Sequence, residues 1–347
     1  MAVETNRAGP AAAVESLQVV GRGSQRRWLK ELGFWTALIT ALVFFLFPMY
    51  WLAVTSLKPK AIVEAQPPTF IPWVDFTPTF DNYVDVFFED PPGVGISGRT
   101  ADAPRERSEF PSHLFASVGI TAFVTLAAVF AGTLAAYSFS RFRIRGEDDM
   151  MFFILSTRML PAVVILIPVF LMFNQPGDLL NDFLGGVPIG FIQDLGDRLG
   201  DFSLRNSFLG ISLLYITVGL PFVVWMMKGF FDEIPTEYEE AAMIDGHSRI
   251  KAIRKIVLPE AVPAMLATSV FVIIVSWNEF VFAQLLNRDA WTTVPPFLQE
   301  IIGFGSGQIE WGRAAATSLL FILPIALFTY AARNHLLRGV TFGAVRR

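Results

Sequence analysis

Six stretches of the chain are apolar nearly from end to end, separated by polar segments of unequal length. They cover residues 34–57, 113–140, 150–174, 206–231, 261–286 and 314–334. Each holds 20 or more residues, and a helix rising about 1.5 Å per residue then crosses a hydrocarbon core about 30 Å thick. Within lipid, an open-ended segment satisfies its backbone N–H and C=O groups only as a helix. The pattern therefore predicts six transmembrane helices and an all-α, polytopic membrane fold. Pro48, Pro161, Pro168, Pro221 and Pro324 fall inside these runs and predict kinks.

One polar segment stands apart. Between the fourth and fifth runs the chain reads EEAAMIDGHSRIKAIRKIVLP, Glu239 to Pro259. Thr236 and Glu239 have the spacing of a capping box, which predicts a short helix through Ala242. Gly246 supplies the permissive backbone for leaving that helix. Ser248 predicts the cap of a second helix that carries Ile250, Ile253 and Val257 on one face, and Pro259 marks its end and the start of the next span.

Glu240, Ala241, Ala242, Gly246, Ile256, Leu258 and Pro259 fill every fixed position of E-A-A-x3-G-x9-I-x-L-P. The segment resembles the EAA loop of ABC importer membrane subunits. In that family the loop is a cytoplasmic helix-turn-helix that docks into a cleft of a separate ATPase. Further stretches resemble the carbohydrate and polyol branch, in particular the maltose-type small permease subunit. They include Thr157-Arg158-Met159-Leu160-Pro161, Leu220-Pro221-Phe222-Val223, Trp277-Asn278-Glu279-Phe280, Glu310-Trp311-Gly312 and the tail Arg338–Arg346. The resemblance implies a permease subunit forming half of the path for a sugar or polyol. Its implied partners are ABC ATPase subunits, a second permease subunit and an extracytoplasmic solute-binding protein. It also implies a tail at 1–33, a six-helix domain at 34–336 with the EAA-type loop at 232–260, and a tail at 337–347. Insertions near 89–110 and within 178–203 depart from the family pattern.

Composition narrows the alternatives. Of 347 residues, 53% are hydrophobic and 17% charged, which fits a bilayer as the solvent rather than two or three soluble domains. No cysteine is present, and His113, His247 and His335 make no metal-ligand spacing. P-loop, HExxH and GxSxG patterns are absent, so no catalysis, metal or cofactor is expected here and ATP is used by a partner subunit. With a net charge of −4, no nucleic-acid partner is expected. With the N-terminus inside, the inner segments carry 17 Lys and Arg and the outer segments 9. The positive-inside rule then puts both termini and the EAA-like loop in the cytoplasm of a multi-pass protein of the cell membrane. The basic residues Arg22–Lys30 precede a run too long for a signal peptide, so it reads as a retained first span.

Within the spans, Ser276-Trp277-Asn278-Glu279 interrupts the fifth run. A central carboxylate costs about 2.5–3.5 kcal/mol on insertion scales, and each large apolar neighbour returns about 0.3–0.6 kcal/mol. Glu279 is therefore expected to face the bundle interior or water. Trp277, Asn278 and Glu279 are candidates for the translocation path, with Arg158 as the natural countercharge. A structural hydrogen bond between helices is the other reading of Glu279. A permease for another small polar solute, or a secondary transporter, is the alternative function. A secondary transporter predicts ionisable residues in several spans, and only Arg158 and Glu279 qualify.

Overall fold

The computed structural model describes residues 10–89, 105–174, 205–287, 291–303 and 309–342. The insertion within 178–203, most of the one near 89–110 and the end of the tail motif lie outside them. In chain order the elements are α1 (Pro10–Ser56), α2 (Lys60–Val63), α3 (Asp81–Phe87), β1 (Phe88–Glu89), β2 (Glu106–Arg107), α4 (Phe110–Arg141), α5 (Glu147–Ser156) and α6 (Ala162–Asn174). There follow α7 (Phe208–Glu233), α8 (Glu237–Ile244), α9 (Arg249–Ala252), α10 (Leu258–Trp277), α11 (Val281–Leu286), α12 (Val294–Ile301) and α13 (Trp311–Phe342). The fold is helical, apart from a two-stranded antiparallel pair, β1 with β2, at the rim of the first insertion.

Among the described residues, five segments are long and apolar enough to cross a membrane without a break: Lys30–Ser56, Phe110–Arg141, Phe208–Glu233, Arg249–Trp277 and Trp311–Arg333. The third apolar run bends far more sharply than the kink expected at Pro161. It forms two helical pieces, Glu147–Met159 and Val164–Phe173, bent by 96°. Proline explains the break: Leu160 adopts the extended conformation that a following proline enforces, and Pro161 then starts a new direction. Pro48, Pro168, Pro221 and Pro324 sit inside continuous helices instead. Two helices run past their apolar segments. Helix α1 begins at Pro10, within the segment read as a polar tail, and α13 continues to Phe342, within the segment read as the C-terminal tail.

The core lies between α4, α7 and α10. Ile120, Val124, Ala128 and Ala136 of α4 pack against Ile211, Val223, Met227 and Phe231 of α7 and Ala261 and Val272 of α10. At the α4–α7 crossing, a Cβ on Gly132 would lie 2.5 Å from Val223 Cγ1 and 2.8 Å from Val223 Cβ. The helices approach to a distance that only glycine permits. Gly132→Val therefore overpacks the crossing by about 1–3 kcal/mol. A lower melting temperature of the purified protein, partly restored by adding Val223→Ala, is the expected result; an unchanged melting temperature contradicts it.

A second cluster closes the other end of the bundle. Val86, Phe110, Trp277, Val294, Phe297 and Phe321 bring α3, α4, α10, α12 and α13 together. Asn82 locks α1 to it: buried, its Nδ2 donates to the carbonyls of Ser56 (2.9 Å) and Lys58 (2.8 Å), which end α1. Gly312 at the start of α13 makes room, because a Cβ there would fall 2.4 Å from Asn82 Oδ1.

Candidate functional site

The EAA-like segment folds as two short helices around a tight turn, and the turn follows from one residue. Gly246 has φ +86°, and no atom lies within 4 Å of where its Cβ would stand. Glycine is required here by backbone conformation, not by space. The His247 N–H donates to the Ala242 carbonyl (3.0 Å) and the Gly246 N–H to that of Met243 (3.1 Å), the paired bonds of a Schellman ending for α8. The chain then enters α9 at Arg249.

The capping box does not form. The Thr236 side chain makes no cap hydrogen bond, and Glu239 points the other way, into the bundle. Its Oε1 accepts from Arg141 Nε (2.6 Å) and its Oε2 from the Tyr137 hydroxyl (2.6 Å). Arg141 Nη2 also donates to the Ile234 carbonyl (2.8 Å), just ahead of α8. The Arg141 and Glu239 side chains are only 5% and 7% exposed. A charge-assisted pair of this kind is stronger than a carboxylate bond to one neutral backbone N–H, so Glu239 serves the end of α4 rather than its own helix. Arg249 adds a contact, its guanidinium 5.1 Å from the Phe142 ring centre. The loop is thus fastened at both of its helices, to the end of α4 and to Phe142 just beyond it.

The loop's two faces differ from the expected pattern. Ala242 is buried within this chain, whereas Glu240 and Ala241 are exposed. On the second helix Ala252 and Val257 are buried, Ile253 and Ile256 half-buried, and Ile250 is 78% exposed. The cause is a widened π-type turn, Ile253–Val257, between α9 and α10, which shifts the register of one face. Pro259 accordingly ends no helix. It is exposed in the first turn of α10, and the widened turn contains Lys255, whose carbonyl its ring would otherwise press. Leu258 is half-buried beside it. From Arg249 to Trp277 the helix is continuous. The outward side of the loop presents Ile244, 87% exposed, together with Ile250.

At the far end of that helix the four path candidates separate. Trp277 is buried and stacked on Phe321, with ring centres 4.8 Å apart. Asn278 is exposed, its Nδ2 returning to the Ile274 carbonyl (2.8 Å). Glu279 bridges the break. Its Oε2 accepts from the Tyr215 hydroxyl (2.6 Å) and the Ala283 N–H (3.1 Å), and its Oε1 from the Phe282 N–H (2.9 Å). The expected countercharge is elsewhere: Arg158 Nη1 donates to the Val218 carbonyl in α7. Two N–H groups at the start of α11 and a buried phenol satisfy the carboxylate instead. Tyr215, like Tyr137 and Arg141, was not singled out by sequence, since its partner is 64 residues away.

Comparison with known proteins agrees with this architecture. The family model for the binding-protein-dependent transport system inner membrane component matches residues 128–341. The trehalose/maltose transport system permease protein MalG of Thermococcus litoralis is 29% identical over 303 residues, covering 87% of this chain and 91% of that protein. The trehalose transport system permease protein SugB of Mycobacterium tuberculosis is 28% identical over 315 residues, 90% of this chain and 97% of the relative. Among solved structures, a bacterial ABC transporter involved in the import of the acidic polysaccharide alginate shares the fold. Its TM-score is 0.62 at 19% identity, with 96% of this chain and 100% of that chain covered.

Proposed function

The chain belongs to the family of binding-protein-dependent transport system inner membrane components, and from that premise we propose how its loop and its bundle work together. It is the permease subunit of an ABC importer for a sugar or polyol, a transport component rather than an enzyme. Permeases named for trehalose and maltose support the solute class. Hydrolysis takes place on separate ATPase subunits. A second permease subunit completes the path, and a solute-binding protein delivers the cargo. Both termini and the docking loop face the cytoplasm, a topology supported by the excess of Lys and Arg on that side.

The observation that carries the mechanism is the fastening of the loop. Gly246 fixes the angle between α8 and α9, and Arg141, Tyr137 and Glu239 tie α8 to the end of α4. Movement of a docked ATPase then reaches α4 through a buried ion pair and α10 through an unbroken helix. Closure of the ATPase dimer is transmitted as a change of access in the bundle. Within the bundle, exposed Asn278 lies beside the break and is the path candidate best placed to meet a polar solute.

The outward isoleucines, exposed on either side of the turn, supply the apolar contact with the ATPase. Ile244→Asp combined with Ile250→Asp leaves the chain's own core untouched, because both side chains face outward. Membrane levels are expected to stay normal while the ATPase no longer co-purifies and uptake stops. Wild-type recovery of the ATPase with this double variant refutes the docking surface.

A further inference from the structure

The turn after α2 is an apolar surface that the coupling mechanism leaves unused. Beyond α2 the chain does not continue away from the bundle; it folds back along α1. The Phe70 carbonyl accepts from the Tyr50 hydroxyl (2.7 Å), and the Phe70 ring lies 5.2 Å from that of Trp51. Tyr50 and Trp51 precede the end of α1 at Ser56 by about one and a half turns, so Phe70 has returned about 8–9 Å along the helix axis. The apolar span within α1 runs Lys30–Ser56, so this level lies within about two turns of its C-terminal end. Immediately before this level, α1 is clad in exposed aromatic side chains, Phe44, Phe45 and Phe47, as suits a lipid-facing surface.

The turn has the backbone of a segment built for that zone. Trp73 N–H donates to the Phe76 carbonyl (2.8 Å) and Asp75 N–H to that of Ile71 (2.9 Å). Asp75 Oδ2 collects the N–H groups of Ile71 (2.9 Å) and Phe70 (2.8 Å). These two backbone donors hold the Asp75 carboxyl below its ordinary range. Closing backbone donors internally is what lets non-helical chain approach lipid. The apolar side chains, in contrast, are turned out: Ile71, Trp73 and Val74 are 52%, 81% and 76% exposed. Trp73 stands at φ +61°, a conformation unfavourable for a bulky residue. The turn thus carries backbone strain while it displays a tryptophan away from the protein.

We infer that residues 70–76 form an interfacial lipid anchor, in which Ile71, Trp73 and Val74 enter the boundary between headgroups and acyl chains beside α1. Tryptophan suits this position, since its ring is apolar and its indole N–H finds partners among headgroups. The occupant is taken as lipid rather than a protein because the patch is continuous with the exposed apolar surface of the membrane span in α1. The inference rests on the permease reading only for which leaflet is entered; the depth follows from the contacts with Tyr50 and Trp51.

The chain contains no cysteine, so a single reporter is straightforward. Val74→Cys is introduced into the assembled transporter, labelled with a small fluorophore and reconstituted into phosphatidylcholine vesicles. Lipids bearing a nitroxide near the headgroup should quench it severalfold more than lipids labelled mid-chain, and aqueous iodide should quench it far less than the same label at Glu106→Cys, exposed in β2. Quenching by iodide as strong as at that control overturns the anchor in favour of a water-facing turn. Protection from both nitroxide lipid and iodide overturns it in favour of a protein partner. Val74 is mostly exposed, so the substitution does not disturb the core.

Discussion

Arg141→Met is expected to stop import while ATP hydrolysis on the partner subunits continues. The substitution keeps an unbranched apolar stem but removes the guanidinium that links Glu239 and the Ile234 carbonyl to α4. Glu239 would be left buried without its charge partner, a loss of about 3–5 kcal/mol for a pair of this kind. Because such a loss also lowers the yield of folded protein, the double variant Arg141→Met with Glu239→Leu is the sharper test. Replacing both charges by apolar groups is often close to neutral for stability, yet the hydrogen-bonded tie is gone. The expected outcome is a stable, assembled complex with ATPase activity no longer coupled to solute. Import at the wild-type rate in the double variant removes the clamp from the mechanism.

Glu279→Gln separates the two readings of the carboxylate at the helix break. An amide presents one acceptor oxygen and one NH2 group where the carboxylate accepts three bonds, so at least one of Tyr215, Phe282 and Ala283 faces a donor. Stranding a buried donor costs about 1–3 kcal/mol, and α11 loses the cap at its first turn. A lower melting temperature and slower import are expected, with the concentration of solute at half-maximal uptake unchanged. Tyr215→Phe removes one bond and should show the same effect at smaller size. If Glu279 instead bound the solute, Glu279→Gln would raise the half-saturating concentration and leave melting unaltered. That result would return Glu279 to the translocation path.

Long-period features of the fold were legible in the sequence, and partnerships across helices were not. Five of the six apolar runs contain an unbroken span, because twenty apolar residues in lipid have one way to satisfy their backbone. The run at 150–174 breaks at Pro161, and nothing in its hydropathy distinguishes that proline from Pro168, which a continuous helix accommodates. The turn between α8 and α9 was readable through Gly246, whose left-handed backbone imposes a residue type. The capping box was not, since the Thr236–Glu239 spacing is local while the partner of Glu239 sits 98 residues away on α4. One clue was available: Tyr137 and Arg141 are four apart, hence on one face at the end of a span, where an apolar environment asks each polar tip for a partner. Arg158 and Glu279 show the reverse error. Opposite charges in two spans suggested a pair, but Arg158 donates to the Val218 carbonyl and Glu279 accepts from the Tyr215 hydroxyl and two N–H groups of α11.

The widened turn between α9 and α10 sets the mechanical character of the molecule. Because it bulges without breaking, the 29 residues from Arg249 to Trp277 form one strut, about 43 Å long. A tilt of about ten degrees imposed at its Arg249 end would sweep the other end through about 7 Å over that length. Leverage of this order lets a small angular stroke at the membrane surface become a displacement comparable to the width of a sugar ring. The strut ends at Asn278, where the chain changes direction, so the stroke arrives there as a change of angle between two rods.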